Sequence, residues 1–138
     1  YITWETFQCG NVLSLIVSCG WDFDMNTYSV YLYDTATGEQ MTTAQLLETL
    51  QVEPETFLAA VRQAAAERFD GKYAGIGGDT DELVAERRAW TLSDENINLD
   101  VMTYADAAGN LYVYLPIGSI AGAASYEEPL TLDLGAAG

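Results

Sequence analysis

The stretch PETFLAAVRQAAAERF, residues 54–69, decides the fold class. Phe57, Leu58, Val61, Ala65 and Phe69 recur every three or four positions, which gathers them on one face of an α-helix. Pro54 suits the first turn, where a missing N–H leaves no bond unmade, and Gly71 predicts the end of the helix. Upstream, Thr43 predicts the cap of a shorter helix presenting Leu46, Leu47 and Leu50. Downstream, Gly75 to Gly78 reads as a link, and Asp79 or Asp81 predicts the start of a third helix reaching about Arg88.

On either side the period changes to two. Residues 3–8 read as a strand turned by Gly10-Asn11. Residues 12–19, VLSLIVSC, are almost continuously apolar, which suits a central strand or a short buried helix. The next loop carries Trp21, Asp22, Phe23 and Asp24. In 27–34, Tyr28, Val30 and Leu32 alternate with Ser29, Tyr31 and Tyr33, and Asp34 to Gly38 reads as an Asx-type turn. Past the helices, Ile97, Leu99 and Val101 alternate with Asn96, Asn98 and Asp100, predicting a strand over 96–103. A hairpin loop at Ala105–Gly109 leads to Leu111, Val113 and Leu115 alternating with Tyr112 and Tyr114. Pro116 predicts the end of that strand, and small residues from Gly118 to Ser125 lead to a last one near 130–134. Strands, helices, strands predict an α+β fold: an antiparallel sheet with two to three helices inserted mid-chain and packed on one face. A chain of 138 residues accommodates one domain, placed at 1–134 with a frayed tail at 135–138.

Charge is unevenly distributed. There are 21 acids, five bases and no histidine, for a net charge of −16. Arg62, Arg68, Lys72, Arg87 and Arg88 all fall within residues 62–88, and the flanks carry acids alone. Such a field repels nucleic acid and anionic lipid and favours cationic partners, although acidity also simply maintains solubility. No run reaches the ~20 apolar residues of a membrane helix. The sequence begins at Tyr1 rather than at a methionine, so it is expected to be a piece of a longer chain. If residues 12–19 form one extended strand, Cys9 and Cys19 sit too far apart for the ~4.4–6.8 Å Cα separation of a disulfide, which favours two buried free thiols over the alternative of a bridge.

The chemistry-bearing constellations are few. Absence of histidine excludes Ser-His-Asp and Cys-His nucleophiles and removes the commonest nitrogen ligand of zinc. Gly75-Ile-Gly-Gly78 lacks the Lys-Ser/Thr of a phosphate loop. Asp22 with Asp24, and Asp94 with Glu95, are the candidate carboxylate pairs for a glycosidase, but so acidic a chain brings some acids together by chance. Asp79, Asp81 and Glu82 are weak candidate calcium ligands outside EF-hand spacing, and helix capping and the helix dipole account for them better without an ion. The remaining candidate is a tyrosine surface. Tyr31, Tyr33, Tyr112 and Tyr114 point away from the aliphatic positions, edged by Asn96, Asn98 and Asp100. Tyrosine combines contact area with little entropy loss, and an acidic rim suits a basic protein or, with the amides, a glycan. The same tyrosines are also simply good strand formers.

The order of GNVLSL (10–15), NTYSV (26–30), DTATGE (34–39), MTT (41–43), LSDENI (92–97), GNLYVYLPI (109–117) and IAGAA (120–124) resembles a known domain. It is the C-terminal extracytoplasmic domain of RsiV-type anti-sigma factors, of unknown function, which also accompanies the deacetylase module of PdaC-type polysaccharide deacetylases. The resemblance runs from about Gly10 to Leu132. Its loop 20–26 lacks the family's usual glycine-rich stretch, and Pro116-Ile-Gly replaces an aromatic-rich segment. The resemblance implies a bacterial cell-surface or secreted module and, in the RsiV case, direct binding of lysozyme. The combined expectation is a non-catalytic binding or sensing module, without cofactor, for a cationic protein such as lysozyme or for cell-wall material. The alternative is an accessory domain that positions a neighbouring domain.

Overall fold

The computed structural model describes residues 1–20, 26–74, 81–120 and 126–137. The loop carrying Trp21, Asp22, Phe23 and Asp24, the Gly75–Gly78 link, Asp79 and residues 121–125 lie outside the described residues. Strands β1 (Ile2–Cys9), β2 (Val12–Gly20), β3 (Asn26–Asp34) and β4 (Gln40–Met41) precede helices α1 (Thr43–Thr49), α2 (Pro54–Tyr73) and α3 (Asp81–Thr91). Strands β5 (Met102–Ala105), β6 (Leu111–Ile117) and β7 (Tyr126–Thr131) follow, then a four-residue helix α4 (Leu134–Ala137).

The fold is α+β with the helices inserted mid-chain, in accord with the periodicity. Its strands divide between two antiparallel sheets, ordered β1-β2-β3-β4 and β5-β6-β7. The division has a local cause. Strand β5 does not extend the first sheet but lies across it, and its Ala105 N–H donates to the buried Ser14 Oγ at 3.4 Å. Phe7 of β1 stacks on Tyr104 of β5, with ring centroids 5.6 Å apart.

Helix α2 covers the other face of the second sheet. It buries Phe57, Ala60, Val61, Ala65 and Phe69, and β6 buries Leu111, Val113, Leu115 and Ile117 at every second position. These residues share one core with Leu46 and Leu47 of α1 and with Val12 and Leu32 of the first sheet.

Local chemistry accounts for the element ends. Gly10 has φ 57 at the first position of a two-residue β-hairpin turn, where a positive φ suits glycine. Thr42, not Thr43, caps α1: its Oγ1 accepts from the Gln45 N–H at 3.1 Å while Gln45 Oε1 accepts from the Thr42 N–H at 2.9 Å. This reciprocal box requires a glutamine or glutamate three residues on, and only Thr42 has one. Gln51 follows α1 at φ 58, and the N–H groups of Gln51 and Val52 return to Glu48 O and Leu47 O at 3.1 and 2.9 Å. That is a Schellman cap with glutamine where glycine is usual. Helix α2 runs through Gly71 to Tyr73, because a glycine costs a helix only ~1 kcal/mol when packing favours continuation.

Residues 96–101 form turns and not the strand that alternation predicts. Asn96 and Asn98 are turn residues whose amides bind nearby carbonyls, a pattern that competes with a ladder. Pro116 lies inside β6 instead of ending it. Strand β5 pairs only as far as Tyr114, so the missing Pro116 N–H leaves no ladder bond unmade. The last strand is centred earlier than predicted, at Tyr126–Thr131. Cys9 and Cys19 are free, and register places them on opposite faces of the first sheet.

Two stability tests follow from this packing. Phe69→Ala removes a ring with 1% exposure and is expected to cost ~3–5 kcal/mol by urea denaturation. Gln51→Gly relieves a left-handed non-glycine conformation and is expected to raise stability by up to ~1 kcal/mol; a loss would mean that the Gln51 side chain stabilises the cap.

Candidate binding surface

The predicted tyrosine surface is split by the fold. Tyr31 and Tyr33 lie on β3, Tyr112 and Tyr114 on β6, and these strands belong to different sheets. Sequence alternation specifies which side chains share a strand face but not which strands are neighbours.

Tyr31 (38% exposed) and half-buried Tyr33 share the outer face of the first sheet. Tyr112 and Tyr114 instead face the first sheet across an aromatic layer. Tyr114 is 7% exposed and stacks on Tyr28 of β3 with centroids 4.0 Å apart. Tyr104 lies 5.0 Å from Tyr112 and 5.9 Å from Tyr114. With Phe7, these rings join β1 and β3 to β5 and β6. Such pairs contribute ~0.5–1.5 kcal/mol each beyond burial of area, so this layer is a structural joint. Of its principal members, sequence alternation places Tyr28 on the face of Val30 and Leu32, whereas no local pattern marks Phe7 or Tyr104 as members of the stack.

Burial raises the hydroxyl pKa of Tyr104, and raises that of Tyr114 further, with the Tyr104 hydroxyl beside it adding to the shift. Tyr112 is raised chiefly by its 2.9 Å hydrogen bond to the Asp106 carboxylate. Asp106 is held below its ordinary value, first by the Asn110 amide and then by the N–H groups of Asn110 and Ala108 and the Tyr112 hydroxyl. This carboxylate organises the β5–β6 hairpin loop.

Asn96, Asn98 and Asp100 do meet Tyr114. With Glu95, Pro116 and Glu127 they border a shallow depression of about 340 Å3. The amides are committed internally. Asn96 Nδ2 donates to Thr91 O at 2.9 Å and Pro116 O at 2.8 Å. Asn98 Nδ2 donates to Asp94 O and Glu95 O, and its Oδ1 accepts from the Asp100 N–H. They hold the turn, and Asn96 supplies β6 with the partner that the short β5 does not reach.

The bases are committed as well. Arg62 pairs with Asp94, Arg88 makes two bonds to Asp70 at 2.8 and 3.1 Å, and Arg87 donates to Ser119 O and lies 3.8 Å from Glu86. Glu128, with a side chain 19% exposed, receives Arg68 at 2.9 Å and Lys72 at 2.8 Å, tying β7 to α2. All five bases of the chain thus have an acid of the chain beside them.

The opposite condition holds at the end formed by the β3–β4 turn, α1 and the start of α2. Asp34, Glu39 and Glu48 line one depression, and Glu48 and Glu53 an adjoining one. Glu55 lies in the first turn of α2, and residues 1–61 contain no base. Composition indicated this excess, but its concentration at one end comes from the fold.

Of the glycosidase candidates, Asp94 lies open to solvent beside Arg62, and Asp22 and Asp24 lie outside the described residues. Asp81 and Glu82 are exposed in the first turn of α3, where they complement the helix dipole. Among the described residues no group of three His, Cys, Asp or Glu side chains is arranged to hold a metal ion. No helix among them is long and apolar enough to cross a membrane. No protein-family model matches the chain, and no curated protein matches it either.

Raised tyrosine pKa values carry a sign for stability. The neutral hydroxyls of Tyr104 and Tyr114 are favoured in the folded state, so their contribution is complete below the unfolded tyrosine value of ~10 and is lost as pH rises through the folded values. An ultraviolet titration is expected to show ordinary tyrosines ionising first and a delayed fraction ionising together with alkaline unfolding. Tyr114→Phe is expected to shrink that delayed fraction; an unchanged titration would show that Tyr114 is not among the delayed groups.

Proposed function

We propose that this chain is an extracytoplasmic, non-catalytic binding module whose acidic end receives a cationic protein. The observation that carries the reading is the unequal fate of its charges. All five bases are paired internally, whereas Asp34, Glu39, Glu48 and Glu53 line neighbouring depressions in a region of sequence without a base. A basic partner meets no free cation of this chain there, and the field of −16 accelerates its approach. The commitments of Asn96 and Asn98 to backbone carbonyls argue against the alternative of a glycan at the Tyr114 depression.

The resemblance to the RsiV-type and PdaC-type domain supports both the location and the partner class, and makes a basic lysozyme the first partner to test. Calorimetry at low ionic strength is expected to detect binding that weakens but persists at ~0.15 M salt. The triple change Glu39→Gln, Glu48→Gln and Glu53→Gln is expected to weaken it roughly tenfold, mainly through slower association. Absence of heat at low salt overturns the lysozyme reading, and binding abolished by modest salt marks general charge attraction.

A further inference from the structure

The outer face of the first sheet has a composition unlike the rest of the surface. Register places Ile2, Trp4, Leu13, Leu15, Val17 and Tyr31 on this face. Ile2 and Trp4 are 67% and 71% exposed, Tyr31 is exposed, and the three residues of β2 are half-buried. The other strand residues facing this way are Thr6, Gln8, Cys19, Thr27, Ser29, Tyr33 and Gln40, so none of the described strand residues on this face is charged, in a chain with 26 charged residues. Leu13, Leu15 and Val17 are also absent from the common core that α1 and α2 share with the opposite face.

We propose that this face docks a second copy of the chain, forming a two-fold sandwich of two outer sheet faces. Self-complementarity favours this occupant. A two-fold contact brings each patch against itself, so any charge near its axis meets a like charge, and an uncharged apolar face avoids that conflict. A cationic partner would instead select the acid-lined end. Size agrees. Strands of eight or nine residues, with a rise of ~3.3 Å per residue and a spacing of ~4.8 Å, give three strands a planar area of ~400 Å2. Two such faces, with side-chain relief, bury roughly 1,200 Å2, the lower end of specific interfaces. Facing antiparallel sheets pack in aligned fashion at ~30° with interdigitating side chains. The dimer is therefore weak, in the micromolar range, and its salt response is distinctive. Two bodies of −16 each repel, so added salt strengthens an association whose contact contains no ion pair.

Sedimentation equilibrium of the 138-residue chain across micromolar to submillimolar concentration, at low and high salt, tests the proposal. A monomer–dimer equilibrium that tightens several-fold with salt is expected. Trp4→Glu and, separately, Tyr31→Glu are each expected to weaken it at least tenfold; both sites are exposed, and circular dichroism establishes that each variant is folded. A chain that remains monomeric at the highest concentration and salt overturns the proposal and leaves the face to a neighbouring domain or another protein. A dimer that survives both variants, or that weakens with salt, overturns it equally. The lysozyme titration reports on the acid-lined end, so either result stands without the other.

Discussion

The second sheet must satisfy two unlike neighbours at once, and the architecture depends on that constraint. One face of β6 presents Leu111, Val113, Leu115 and Ile117 to the apolar stripe of α2; the other presents Tyr112 and Tyr114 to the first sheet. The aliphatic side is fully buried. The tyrosine side has rings that stack and hydroxyls that still find partners, which suits a layer opening toward solvent at the Asp106 loop. One strand thereby joins a helical layer to a sheet layer, and the chain order of strands, helices and strands becomes a three-layer body.

Much of this was legible in the residues. The 3.6-residue period of 54–69 and the two-residue periods of 27–34 and 110–115 name helix and strand correctly because each has one buried face. The period over 96–103 misleads because Ile97 and Val101 are buried from a turn; alternate burial needs an alternating environment, not an extended backbone. The tyrosine array failed at a different level. Alternation separates Tyr31 and Tyr33 from Val30 and Leu32, and Tyr112 and Tyr114 from Leu111 and Val113, but which face is outward and which strands are neighbours depend on long-range packing that local pattern does not encode. Among the site residues, Asn96, Asn98, Asp100 and Tyr114 border one depression, Tyr31 and Tyr33 share the outer face of the first sheet, and the two amides are there to complete the backbone.

The charge distribution gains meaning from the fold. In sequence, the bases occupy a helical stretch. In the structure they are struts: Glu128 ties β7 to α2, Asp70 ties α2 to α3, and Asp94 ties the turn after α3 back to α2. Exposed pairs of this kind contribute little energy individually, ~0–1 kcal/mol. They also leave each base of the chain beside one of its own acids.

The strand order of both sheets also bears on how the chain reaches this state. Each strand pairs with its sequence neighbour, through turns as short as Gly10-Asn11, so both meanders are built from local closures with low entropy of loop formation. Only their mutual docking, through Phe7, Tyr28, Tyr104 and Tyr114, joins residues about 90 positions apart. In a chain of such low contact order within each half, the kinetic bottleneck is expected at that docking step. Its signature is φ-values that are high within the first meander and fractional, not zero, at the stacked rings.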